Sequence, residues 1–178
     1  QMFEKSSLRT KLSFYLAIKQ LGGGTITLRT NELHIGKDGE SLVDTAKILS
    51  TYGDGFMLRT DSDKKIKEFS KYLKIPFING LSPSSHPTQV LSDIFTVEEI
   101  KKKPISKLNI CWIGDSNNVL NSLIVASVKF SFKLNIGCPK NYKPNFFLID
   151  WVKKNNRKIY IFNDAKKAVK NADVIFTD

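Results

Sequence analysis

Apolar and polar positions alternate along this chain in two rhythms, one helical and one strand-like. Leu8, Leu12, Tyr15 and Leu16 fall at i, i+4, i+7 and i+8, the stripe of one helical face, and Ser6 and Ser7 ahead of them are good helix N-caps. Gly22-Gly23-Gly24 offers the positive-φ positions that close this helix, and Thr25-Ile26-Thr27-Leu28 reads as a short strand. Residues 29–40 read as a loop. Ser41 then caps a helix carrying Leu42, Thr45, Ala46 and Leu49, and Gly55-Phe56-Met57-Leu58 is a buried strand ending on Arg59. Ser62 or Asp63 opens a helix with Ile66, Phe69 and Tyr72, followed by strand and turn over residues 76–80. The next helix opens at His86-Pro87-Thr88-Gln89, with Pro87 in the first turn where a missing N–H costs nothing, and it fades near residues 101–104.

The second half repeats the alternation: strand 108–113, a Gly114-Asp115-Ser116-Asn117-Asn118 turn, a helix to Phe130, strand 134–137, helix 146–154, strand 159–162, helix 165–171 and strand 174–177. Strands alternating with helices predict an α/β fold of two Rossmann-like parallel-sheet domains, with ligands at the carboxyl ends of the strands. The domains are expected at residues 1–100 and 101–178. The chain stops on Thr177-Asp178, where a loop is due, so both domains are expected to be incomplete at the chain ends.

Composition narrows the function classes. The 178 residues are 41% hydrophobic and 25% charged, the balance of a globular domain or two, with no apolar run near the roughly 18 residues of a membrane helix. The N-terminus has no basic-then-apolar signal pattern, and a cytoplasmic protein without a membrane partner is expected. Cys111 and Cys138 show no metal spacing and read as buried thiols. The net charge of +11 raises nucleic acid as a partner, but Lys64-Lys65, Lys101-Lys102-Lys103, Lys153-Lys154 and Lys166-Lys167 lie on polar stretches without aromatic interleaving. They read as solvated faces, and no nucleic-acid partner is expected. Such a field also favours an anionic substrate.

Three stretches carry candidate chemistry. The first turn after Ser7 presents unpaired backbone N–H groups, the Ser7 and Thr10 hydroxyls and the Arg9 guanidinium, a set suited to a phosphate. An ordinary capped helix with a basic first turn has the same pattern, and the local sequence leaves both open. Arg59 ends a strand, poised over a sheet edge or simply in a surface ion pair. His86 and Gln89 share one side of a helix start, where an imidazole polarises a carbonyl and a carboxamide reads an amide of one small planar ligand. A structural histidine fits the same position. The Gly114-Asp115 turn lacks the G-x-G-x-x-G dinucleotide pattern, and no Ser-His-Asp or paired-carboxylate arrangement stands out.

Taken in order, these stretches resemble the ornithine and aspartate carbamoyltransferase family along essentially the whole chain. Phe3-Glu4-Lys5-Ser6-Ser7-Leu8-Arg9-Thr10 is similar to its F-E-x-x-S-T-R-T carbamoyl-phosphate motif, Met57-Leu58-Arg59-Thr60 to its second arginine site, and His86-Pro87-Thr88-Gln89 to its H-P-x-Q motif. Asn79-Gly80-Leu81, the Gly114–Asn118 turn and the segment from Ala172 to Asp178 resemble the ornithine branch. The resemblance implies transfer of the carbamoyl group from carbamoyl phosphate to the δ-amine of L-ornithine, giving L-citrulline and phosphate, without metal or organic cofactor. It implies that Ser7, Arg9, Thr10 and the Leu8 backbone bind phosphate. Arg59, Thr10 and His86 would hold the carbonyl oxygen as the catalytic donors, Gln89 the carbamoyl nitrogen, and Asn118 and Asp178 the amino-acid end of ornithine.

The resemblance also implies a homotrimer with sites between subunits, a helical segment before Gln1, and S-M-G and H-C-L-P loops and a final helix after Asp178. Four positions depart from the family pattern. Leu8 replaces a threonine of the phosphate motif, Lys11 an arginine and Tyr15 a glutamate. His34 stands where the ornithine branch has a glutamine that reaches a neighbouring subunit's carbamoyl-phosphate site. Two rivals follow from these features: a carbamoyltransferase with another amine acceptor, and a degenerate non-catalytic paralogue that kept the fold.

Overall fold

Short parallel strands alternating with helices build both halves of the chain. The computed structural model describes residues 1–29, 39–155 and 159–178. His34 and most of the expected 29–40 loop lie outside the described residues. Two compact units divide the chain, Gln1–Pro83 and Ser84–Asp178.

The first unit contains β1 (Met2–Phe3), α1 (Leu8–Gln20), β2 (Leu28–Arg29), α2 (Leu42–Tyr52), β3 (Phe56–Arg59), α3 (Asp63–Tyr72) and β4 (Phe77–Leu81). Its strands are all parallel, in the order β2-β1-β3-β4. The chain runs outward to β2 on one side of β1 and returns to β3 on the other, so the order reverses between β1 and β3. A crevice opens at the carboxyl ends of such a pair. The caps are those the sequence offers: Ser7, Ser41 and Ser62 each accept a hydrogen bond from the backbone N–H three residues on. Each such cap contributes on the order of 1 kcal/mol.

Phe56, Phe69 and Phe77 form a ring cluster, with Phe56 centroids 5.2 Å from Phe69 and 5.9 Å from Phe77. Met2, Ala46 and Leu58 complete this core.

Several elements differ from the sequence expectation. The strand expected at residues 25–28 is reduced to Leu28–Arg29, and Met2–Phe3 forms the central strand β1, which a two-residue apolar run does not announce. Of the three glycines after α1 only Gly22 has a positive φ, of 84°. The apolar stripe of α1 is real, but the helix has no buried residue; Leu8, Leu12, Tyr15 and Leu16 are all exposed.

The second unit contains α4 (Pro87–Lys101), β5 (Asn109–Ile113), α5 (Asn118–Lys129), β6 (Lys133–Gly137), α6 (Phe146–Lys154), β7 (Ile159–Phe162), α7 (Ala165–Ala168) and β8 (Val174–Phe176). The strands are again parallel, in the order β7-β6-β5-β8, which reverses between β5 and β8. Fully buried Trp112, Leu120, Leu123, Ile124, Leu134 and Ile136 dominate the core, and Val90, Ile94 and Val97 bring one face of α4 into it. Full burial of one such side chain stabilises by about 1.5–3 kcal/mol. Cys111 and Cys138 are free and buried, as expected.

Candidate active site

Four segments come together around the β1/β3 switch point of the first unit. Ser7 caps α1, its Oγ accepting from Thr10 N–H at 3.3 Å, and this fixes the first turn through Leu8 and Arg9. Arg59 leaves the end of β3 and donates from Nη1 to Thr10 Oγ1 at 3.1 Å. The register slips at this point: Leu58 pairs with Asn79 but Arg59 with Leu81, so Gly80 is an extra residue on β4. A bulge of this kind turns the side chain opposite it. A Cβ on Gly80 would meet Met57 Sδ at 2.5 Å and the Leu58 carbonyl oxygen at 3.3 Å, which accounts for glycine there.

The Arg59 Nε is buried and has no hydrogen-bond partner among the described residues. Burial pushes the guanidinium below its ordinary pKa, although an arginine remains charged at neutral pH. A buried donor without an acceptor is costly, and an oxygen-rich ligand relieves that cost. Arg9 and Leu8 point outward, with Leu8 74% exposed, so at position 8 the backbone N–H rather than the side chain is available to an anion.

Glu4, Thr60 and Lys65 join these segments in a network that the sequence does not reveal. The buried Thr60 hydroxyl donates to Glu4 Oε2, and Lys65 Nζ pairs with Glu4 Oε1 at 2.5 Å. The Glu4 N–H donates to the Arg59 carbonyl at 2.9 Å, so one residue ties the α1 entry to the end of β3. Glu4 stands inside the phosphate-like motif, but its partners lie 56 and 61 residues away.

In the second unit, His86 is the N-cap residue of α4 and Pro87 opens the helix. The His86 N–H donates to Ser122 Oγ at 2.8 Å, and Ser122 Oγ donates to the Asn118 carbonyl at 3.1 Å, so α5 fixes where α4 starts. The Thr88 hydroxyl lies 3.4 Å from His86 Nδ1; donation there leaves the ring proton on Nε2. Gln89 is exposed, and its Nε2 donates to Asp93 Oδ1 at 2.8 Å one turn on. Burial raises the Asp93 pKa; the Gln89 hydrogen bond opposes that shift, and the charge of Asp178 adds to it.

At the β5/β8 switch point, Asn117 caps α5 by accepting from the Val119 and Leu120 N–H groups, while its Nδ2 donates to Asp178 Oδ2 at 2.9 Å. Asn118 is the first residue of that helix.

The structure thus pairs Thr10 with Arg59 in one unit, and it places His86 and Gln89 on one helix start and Asn118 and Asp178 at one sheet edge in the other. Sequence reasoning missed the supports: Glu4, Thr60 and Lys65, Asp93 behind Gln89, Ser122 behind His86, and Asn117 behind Asp178. Of these only Asp93 left a local signal, an acidic residue four positions after an amide on a helix.

Two family models match the chain: the carbamoyl-P binding domain of aspartate/ornithine carbamoyltransferase over residues 1–99, and the Asp/Orn binding domain over residues 106–178. The ornithine carbamoyltransferase of Brucella ovis is 42% identical over 177 residues, covering 99% of this chain and 56% of the relative. That of Methanocorpusculum labreanum is 41% identical, with 57% of its length covered. The chain therefore spans little more than half the length of these relatives. Among solved structures, the anabolic ornithine carbamoyltransferase of Campylobacter jejuni superposes with a TM-score of 0.90 at 38% identity, over 99% of this chain and 59% of the other. The Pyrococcus furiosus enzyme gives 0.89 at 38% identity, over 99% of this chain and 57% of the other. The motifs, the two parallel sheets and these matches agree, and the chain belongs to the aspartate/ornithine carbamoyltransferase family.

Proposed function

We propose that the protein transfers the carbamoyl group of carbamoyl phosphate to the δ-amine of L-ornithine, forming L-citrulline and phosphate in arginine metabolism. The observation that carries this reading is the Arg59 guanidinium, held by the Thr10 hydroxyl with its buried Nε unsatisfied, beside the capped N-terminus of α1. Ser7, the Leu8 N–H, Arg9 and Thr10 bind the phosphate; Arg59, Thr10 and His86 take the carbonyl oxygen; the Gln89 carbonyl takes the carbamoyl amine. Asn118 and Asp178 hold the amino-acid end of ornithine, and His34 stands in the position of a phosphate contact supplied between subunits.

The neutral δ-amine attacks the carbamoyl carbon, and negative charge grows on the carbonyl oxygen against fixed donors. The bond from carbon to the bridging oxygen then breaks with its electron pair going to phosphate, and the amine loses its proton. Fixed orientation of two reactants and preorganised donors account for many powers of ten in rate. In this reading residues 1–100 form the carbamoyl-phosphate domain and 101–178 the first part of the ornithine domain. The protein is a homotrimer in the cytoplasm, and the exposed apolar stripe of α1 supports its burial in an assembly. No described helix is long and apolar enough to cross a membrane.

Release of phosphate from carbamoyl phosphate together with formation of the carbamoylated amine, tested with ornithine beside lysine, putrescine and aspartate, checks the reading. Turnover with ornithine alone is expected. Preference for another amine assigns a different acceptor, and silence with all of them supports the non-catalytic alternative.

A further inference from the structure

We infer that Asp93 is a positioning residue that locks the Gln89 carboxamide with its carbonyl oxygen toward the ligand, and so sets selectivity for a transferable group bearing an amine. The inference rests on the carbamoyl-phosphate reading of the site. Gln89 is exposed on the first turn of α4, and Asp93 lies directly beneath it, with Gln89 Nε2 to Asp93 Oδ1 at 2.8 Å. A glutamine amide has two faces, a donor NH2 and an acceptor oxygen, and free rotation about its last bond would show either to a ligand. An ionised carboxylate only accepts, so its contact must be to the NH2 group. The Gln89 oxygen is then the face left for a ligand, and an acceptor there suits the NH2 of a carbamoyl group and not the methyl of an acetyl group.

The placement of Asp93 argues for more than a surface pair. It is half-buried on α4 and close enough to Asp178, just beyond β8, to feel that carboxylate's charge. A helix pair serving stability alone gains little and is at its best in water, away from like charge. Asp93 instead sits on the side of α4 toward the carboxyl end of β8, where this sheet type binds ligands.

The test is calorimetric titration of the protein with carbamoyl phosphate and with acetyl phosphate, in the unsubstituted form and in Asp93→Ala, Asp93→Asn, Gln89→Ala and the Gln89→Ala/Asp93→Ala double variant. Asp93→Ala is expected to weaken carbamoyl phosphate by roughly tenfold, about the worth of one fixed hydrogen bond, and to leave acetyl phosphate unchanged. Asp93→Asn, whose amide donates as well as accepts and so no longer fixes which face Gln89 turns to it, is expected to lose selectivity nearly as far as Asp93→Ala. Once Gln89 is alanine, removing Asp93 costs nothing further. Equal weakening of both ligands, unchanged carbamoyl phosphate affinity in Asp93→Ala, or full additivity in the double variant overturns the assignment. If the unsubstituted protein binds neither ligand, the carbamoyl-phosphate reading fails first, and the role given to Asp93 falls with it.

Discussion

At the scale of a single residue, Arg59 carries the proposed chemistry of the first unit. Its Nη1 donates to Thr10 and its Nε is buried without a partner among the described residues, a cost that an oxygen bound there, as proposed, would remove. Arg59→Lys keeps the charge but loses the fork, and carbamoyl phosphate affinity is expected to fall about tenfold or more, read by calorimetry. Asp93 yields a prediction about pH. Burial raises its pKa, so the folded protein takes up that proton at a higher pH than the unfolded chain. The cost of the charged form is then present at neutral pH and is relieved as pH falls through the raised folded-state value toward the ordinary aspartate range. Asp93→Asn removes this limb. Urea midpoints of the variant should be no lower than those of the unsubstituted protein at pH 7, and the difference should shrink as the pH approaches 4.

At the scale of elements, caps and close approaches decide what the sequence could announce. Ser7, Ser41 and Ser62 were legible as caps because a cap is local chemistry within three residues, whereas Asn117, read as part of a turn, proves to be the cap of α5. The strand β1 was not legible, because two apolar residues have no periodicity and only pairing with β2 and β3 makes them a strand. The exposure of the α1 stripe was equally hidden; spacing shows which residues share a face, not whether anything covers it. Gly137, ending β6, was read as part of a strand, but not as the place where α7 packs closest. A Cβ there would meet Ile113 Cδ1 at 2.7 Å and Ala168 Cβ at 2.9 Å. Gly137→Ala is therefore expected to destabilise by roughly 1–3 kcal/mol, as overpacking of a filled core does, in urea denaturation.

The Glu4 network shows the same limit on the side of the site. Its motif position was visible, while its joining of Thr60 and Lys65 depends on the sheet bringing distant segments together. Glu4→Leu takes away the acceptor of the buried Thr60 hydroxyl and the partner of Lys65 while keeping the backbone tie to Arg59, and is expected to cost about 1–3 kcal/mol of stability, with weaker carbamoyl phosphate binding because the side-chain link between the α1 entry and the segment after β3 is gone.

For the whole molecule, the alternation of strand and helix was enough to give two parallel sheets, and the order of strands explains where the chemistry collects. Each sheet reverses at one pair of strands, β1/β3 and β5/β8; Arg59 is the last residue of β3, and Ser7 to Thr10, and Asn117, Asn118 and Asp178, lie just past the carboxyl ends of those pairs. The motifs were readable because each is a short local pattern at a helix start or a strand end. The strand order was not, since it follows from which long-range pairs form. The net charge of +11 adds a field that favours an anionic substrate without fixing its place.

The most direct test of the account is calorimetric titration with carbamoyl phosphate beside inorganic phosphate, repeated with Arg59→Ala. The account predicts saturable binding that prefers carbamoyl phosphate and weakens on the order of tenfold to a hundredfold in the variant, the range for a charged hydrogen bond. Binding that treats the two ligands alike, or that is indifferent to Arg59, contradicts it.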